Sequence, residues 1–186
     1  MKIVIFGASG ATGKHLVQQA LNAGHEVTAF VRNPDKLGSV AARLTIFQGD
    51  VGSLHRVGEA IKGQEAVISA LGADSMFRYD AVVVKGMGHI LGAMEVLHVR
   101  RLIYLSTLLV EESRNDAGLI TRILAPKLLG TEIRGHEERE RMIRMSKVKW
   151  TILRAPRLTD RMRVRVADRM LGQLRDDKKQ TQIILL

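Results

Sequence analysis

Short apolar runs alternate with longer amphipathic stretches along most of the chain. Lys2-Ile3-Val4-Ile5-Phe6 is a near-continuous apolar run that stops at glycine, the pattern of a strand buried on both faces. Lys14-His15-Leu16-Val17-Gln18-Gln19-Ala20-Leu21 follows with helical spacing, and Asn22-Ala23-Gly24 closes it. Further strands are predicted at residues 26–31, 44–49, 65–72, 101–105 and 148–153, with a short last one at 181–185. Helical patterns fill 54–61, 80–98, 131–145 and about 166–174, and a capped, proline-initiated turn fits 33–37. Gly86, Gly88 and Gly92 weaken the helix at 80–98, so close packing against the sheet is expected to hold it. Residues 108–129 read as a variable segment. Strand and helix alternating in this way predict right-handed βα crossovers and a parallel sheet with helices on both faces. With no repeat, low-complexity stretch or linker, one domain over residues 1–186 is expected.

The join between the first strand and first helix changes the picture from fold to chemistry. Gly7-Ala8-Ser9-Gly10-Ala11-Thr12-Gly13 ends a strand and opens a helix whose free N–H groups point at whatever lies above the strand tip. Gly7 permits the tight turn, Gly10 lets a pyrophosphate approach the backbone, and Gly13 lets the helix pack closely, while Ser9 and Thr12 add hydroxyl donors. The expectation is a Rossmann-like, doubly wound dinucleotide fold. Arg32 stands at the second strand tip, where an arginine suits the 2′-phosphate of NADP and an acid the ribose of NAD; Lys36 lies one turn on, so NADP(H) is expected. Asp50, followed by Val51, stands at the third tip either as a helix cap or against an adenine. Ala70-Leu71-Gly72 ends the fourth strand with backbone a cofactor can pass. Ser106 and Thr107 end the fifth where a nicotinamide would sit, and Arg154-Ala155-Pro156-Arg157 ends the sixth. All strand ends of one sense share one edge of a parallel sheet, so these residues predict a single crevice.

Composition bounds the remaining possibilities. The 186 residues are 46% hydrophobic and 26% charged, with no cysteine, which excludes disulfides, thiolate metal sites and a cysteine nucleophile. The first apolar run is too short for a signal peptide and no stretch is long enough to span a membrane, so a soluble cytoplasmic protein is expected. Residues 1–93 carry 9 Lys/Arg against 7 Asp/Glu, whereas residues 94–186 carry 20 against 12. Such a basic half suits an anionic small substrate or a salt-bridged surface; without interleaved aromatics it does not read as a nucleic-acid interface. Arg154 and Arg157 either attract an anionic substrate or pair with Glu137, Glu138 or Glu140. The six histidines are scattered, and no metal site is expected.

With these residues in place the chain resembles an atypical short-chain dehydrogenase/reductase of the NAD(P)-binding, NmrA-like group, in particular its biliverdin reductase B/flavin reductase-like members. The resemblance rests on Ile5 through Gly13, Val27-Thr28 with Val31-Arg32, Gly49-Asp50-Val51, Ala66 through Gly72, Tyr104-Leu105-Ser106-Thr107 and Trp150 through Pro156. It implies an NADPH-dependent reductase of flavins, quinones or tetrapyrroles, or alternatively a non-catalytic NADP(H) sensor or interaction protein. It assigns Gly7, Ser9, Gly10, Ala11, Thr12 and Gly13 to the pyrophosphate, and Arg32 and Lys36 to the 2′-phosphate. Asp50 and Val51 fall to the adenine, and Ala70, Leu71 and Gly72 to the nicotinamide half, with Ser106, Arg154 and Pro156 nearby. Thr107, Ser106 and His136 are the implied catalytic candidates, although the Arg/Glu-rich helix around His136 reads as a solvated face. Three departures stand out: neither Tyr79 nor Tyr104 has lysine four residues later, Arg157 stands where relatives carry histidine, and the segment after Asp160 is short.

Overall fold

The structure is a computed structural model that describes residues 1–38, 41–72, 79–108, 110, 119–156, 158–176 and 180–184; of residues 119–129, 132 and 184 only the backbone is described. Seven strands, β1 (Lys2–Phe6), β2 (Glu26–Val31), β3 (Leu44–Gln48), β4 (Ala66–Ser69), β5 (Arg101–Thr107), β6 (Lys149–Ala155) and β7 (Gln180–Ile184), form one sheet in the order β3-β2-β1-β4-β5-β6-β7. Every adjacent pair is parallel. Five helices connect them: α1 (Ala11–Asn22), α2 (Leu54–Ile61), α3 (Ala81–Val96), α4 (Leu119–Met145) and α5 (Asp160–Gly172). The order reverses between β1 and β4, which makes their tips the switch point of the sheet.

The near-continuous apolar strands are explained by burial on both faces. Val4, Phe6, Val67, Leu102, Tyr104, Trp150 and Ile152 pack with residues of α2, α3 and α4 on one face. Ile3, Ile5, Val27, Ala29, Ile68, Ile103 and Leu153 pack with α1 and α5 on the other. Period-two alternation assigns each strand residue to one of these two cores.

Two helices begin earlier than their sequence suggests. α4 starts at Leu119 rather than near 131, running through Pro126 and Gly130, which both read as breakers. α5 starts at Asp160 rather than near 166, so the short connection after β6 is itself helical. Close packing accounts for only one of the three α3 glycines: a Cβ on Gly86 would lie 2.7 Å from the Val51 side chain, whereas one on Gly92 would meet nothing within 4 Å. Gly86 therefore packs on the β3–α2 connection rather than on a strand. Among the described residues no helix is long and apolar enough to cross a membrane. The predicted residues 109, 111–118, 157 and 185 lie outside the described residues.

Candidate active site

The turn after β1 has a shape that only small residues permit. Gly7 has a φ of 80°, and a Cβ there would lie 2.6 Å from the Ala70 carbonyl oxygen, so both its conformation and its clearance require glycine. A Cβ on Gly13 would stand 2.0 Å from the Gly7 carbonyl oxygen, which fixes how closely α1 approaches the turn. The Gly10 N–H donates to the Gly7 carbonyl at 3.0 Å and closes it. No side chain caps α1, so its first N–H groups and partial positive charge face the crevice beside half-buried Ser9 and Thr12 and exposed Ala11. This cradle fits a pyrophosphate.

Further candidate positions follow at the tips of β2 and β3. Arg32 and Lys36 are both exposed, and the turn that carries Lys36 is fixed by the Asn33 side chain accepting from the Asp35 N–H at 2.9 Å. Asp50 is not the cap of α2; Ser53 is, accepting from the Arg56 N–H. The Asp50 carboxylate instead accepts from the Gly52 N–H at 2.7 Å and shapes the turn around Val51. Val51 is buried, and its carbonyl lies 2.8 Å from His89 Nδ1 on α3.

At the other end, α4 presses a set of polar side chains against β5 and β6. Ser106 and Arg154 are register partners. Glu140, with 0% exposure, takes both: Ser106 Oγ donates to its Oε1 at 2.6 Å, and Arg154 donates through Nε at 3.1 Å and Nη2 at 2.6 Å. Arg144 adds a third donor at 3.1 Å. The alternative left open for Arg154 is thus resolved: its guanidinium is 1% exposed and paired with Glu140, so it does not reach for a substrate. The solvated reading of His136 is also corrected. The side chain is 7% exposed, with Nδ1 2.8 Å from Tyr104 Oη and 3.4 Å from Ser106 Oγ. Burial, with the Arg139 guanidinium close by, holds this imidazole well below its ordinary 6.5, so it is neutral at neutral pH.

Ser106 has one proton and commits it to a carboxylate; Thr107 is half-buried at the last position of the strand. Ala70 and Leu71 are half-buried, Gly72 exposed and Pro156 half-buried at the neighbouring tips. Gly7, Arg32, Ala70, Ser106, Thr107, Arg154 and Pro156 stand at or just past the carboxyl ends of their strands. Glu140, Arg139 and Tyr104 were not singled out as site residues. The signal available was the spacing of His136 and Glu140, four apart on one face of a helix that also carries buried Ile133 and Ile143.

A family model described as NAD(P)H-binding matches residues 7–183. The chain belongs to the NAD(P)H-binding family. It is 31% identical over 155 residues to the protein YwnB of Bacillus subtilis (strain 168), covering 82% of this chain and 70% of that one. A 2-alkyl-3-oxoalkanoate reductase of Shewanella oneidensis is 30% identical over 107 residues, which are 55% of this chain and 27% of the reductase. Among solved structures, the anaerobillin reductase ChuY of Escherichia coli O157:H7 superposes with a TM-score of 0.78 at 18% identity, covering 99% of this chain and 97% of that one. A short-chain dehydrogenase/reductase of Veillonella parvula in complex with NADP superposes with a TM-score of 0.72 at 17% identity, covering 96% and 88%. The fold is the Rossmann-like α/β fold that these structures share.

Proposed function

We propose that this NAD(P)H-binding chain, acting as one domain over residues 1–186, is an NADPH-dependent reductase of a flat, electron-poor acceptor such as a flavin, a quinone or a tetrapyrrole. The observation that carries the reading is the glycine-shaped cradle at the switch point, with the β2 tip that leads to Arg32 and Lys36 on one side and the β4 and β5 tips on the other. The cradle at Gly7, Gly10 and Gly13 would hold the pyrophosphate, with Arg32 and Lys36 on the 2′-phosphate and Asp50 and Val51 beside the adenine. Ala70, Leu71, Gly72 and Pro156 would border the nicotinamide half, and Thr107 offers the hydroxyl that orients carboxamide or acceptor. The bound cofactor supplies hydride.

The chain's own share is placement and exclusion of water. Ser106, held by Glu140, keeps the β5 tip in register with β6 and presents lone pairs rather than a proton. His136 is neutral and so not an imidazolium acid at neutral pH, and the proton that completes reduction comes from solvent. Reductases among the similar proteins, and a neighbour in complex with NADP, support the reading. The test is single-turnover oxidation of protein-bound NADPH by FMN and by a quinone. Acceptor-dependent oxidation faster than that of free NADPH is expected. Tight NADPH binding with no acceleration would contradict the reductase and favour a sensor of NADP(H).

A further inference from the structure

Arg139 is a buried cation that the proposed reaction leaves unused. It sits on α4 with 2% exposure. Its Nε donates to the Gly135 carbonyl of its own helix at 2.8 Å, and Nη1 donates to the Leu71 carbonyl at 2.9 Å. The guanidinium carbon lies 5.7 Å from the centroid of the Tyr104 ring. Among the described residues no carboxylate lies within ion-pair distance of it, and Nη2 makes no hydrogen bond. The neighbouring carboxylates serve other groups: Glu140 pairs with Arg154 and Arg144, and Glu138 with Arg134 and the Tyr79 hydroxyl.

A cation removed from water without a counter-charge is costly, and buried charges are ordinarily paired. Two carbonyls and one aromatic face solvate Arg139 only in part. Its position is as telling as its charge. Leu71, whose carbonyl it holds, stands at the tip of β4 next to the β1 turn, where a Cβ on Gly7 would come 3.0 Å from the Leu71 nitrogen. A second cation here would repel it further, and His136 alongside is neutral, so among the described residues no carboxylate compensates the charge that Arg139 brings to the Leu71 carbonyl at the β4 tip.

We propose that Arg139 receives an anionic oxygen of the acceptor, either a carboxylate the acceptor carries or the oxygen on which charge collects as hydride arrives. This rests on the reductase reading above. In the second case the acceptor takes two electrons and one hydrogen nucleus from the reduced nicotinamide, which becomes NADP⁺, and bears one added negative charge until a solvent proton neutralises it. A buried guanidinium at that point is stronger than it would be in water and needs no reorganisation when the charge forms. Arg139 thus takes the role that sequence alone left open for Arg154.

The test compares wild type, Arg139→Met and Arg139→Lys, with biliverdin and its dimethyl ester as probes. NADPH affinity and thermal midpoint are measured first; Arg139→Met is expected to bind NADPH within threefold of wild type and to melt no lower. Bilin binding is then followed by its visible absorbance in the presence of NADP⁺, and turnover by NADPH oxidation. A carboxylate partner predicts at least tenfold weaker binding and higher KM in Arg139→Met for the free acid alone. An oxygen charged by hydride transfer predicts at least a tenfold fall in kcat for both compounds, and in either case Arg139→Lys recovers part of the loss. The proposal is overturned if Arg139→Met leaves bilin binding, KM and kcat within twofold of wild type. Equal impairment in Arg139→Lys, or no wild-type bilin binding, overturns it too. Failure of wild type to bind NADPH would instead sink the reductase reading, and the direct binding comparison would still decide the role of Arg139.

Discussion

Glu140 is the residue on which the polar cluster between α4, β5 and β6 depends. It is fully buried and joins Ser106 on β5, Arg154 on β6 and Arg144 on its own helix. Replacing one member of a buried pair leaves the other charge in a medium that cannot solvate it, which typically costs about 3–5 kcal/mol. Glu140→Gln should therefore destabilise the protein by an amount in that range, read as a lower urea midpoint at unchanged slope; a loss below about 1 kcal/mol would show that Arg154 is otherwise compensated. The neutral His136 makes a second prediction. Its folded-state pKa is depressed by burial and by Arg139, so below pH 6.5 the unfolded chain takes up a proton that the folded chain refuses. Stability is complete above pH 6.5 and falls by about 1.4 kcal/mol per pH unit below it for each such histidine. His25, depressed by burial and then by the N-terminal charge, adds a second contribution of the same sign. His136→Gln should lower the acid slope measured by urea titrations between pH 6 and 5, and an unchanged slope would mean that His136 is not held neutral.

Among the elements, the strands were readable because a parallel sheet buried on both faces demands continuous apolar runs, and each run ends where glycine or a polar residue begins. The helices were harder. α4 presents many charged residues in sequence, and its overall polarity hides the fact that His136, Arg139 and Glu140 turn inward. They do so because Tyr104, Ser106 and Arg154 place polar groups on the facing sheet, and buried polar groups need partners. Only pairwise geometry across α4, β5 and β6 reveals this, which is why Arg154 could be read equally as substrate-facing. Residues 108–129 read as a variable segment, and α4 instead begins at Leu119 and runs through Pro126 and Gly130, both poor helix residues. Glycines separate by the same logic. Gly13→Ala puts a methyl group 2.0 Å from the Gly7 carbonyl oxygen and should abolish nucleotide binding in a titration. Gly92→Ala meets nothing within 4 Å and should stabilise α3 by about 1 kcal/mol in thermal or urea melts, leaving nucleotide affinity unchanged.

For the whole molecule, seven parallel strands bring their tips to one edge, and the reversal between β1 and β4 opens the crevice at the glycine turn. Positions far apart in sequence, such as Gly7, Ala70 and Thr107, come to the same edge only through this topology. That much was legible from the spacing of strand-ending residues; the buried charge network between α4, β5 and β6 was not. The measurement that tests the central claim most directly is calorimetric titration of the protein with NADPH and with NADH at two salt concentrations, repeated on Arg32→Ala. The account predicts NADPH binding at least tenfold tighter than NADH, weakened by salt, and a loss of about tenfold or more on Arg32→Ala that removes the preference. Equal affinity for the two nucleotides would contradict the assignment of Arg32 to the 2′-phosphate, and binding of neither would contradict the reading of the glycine turn itself.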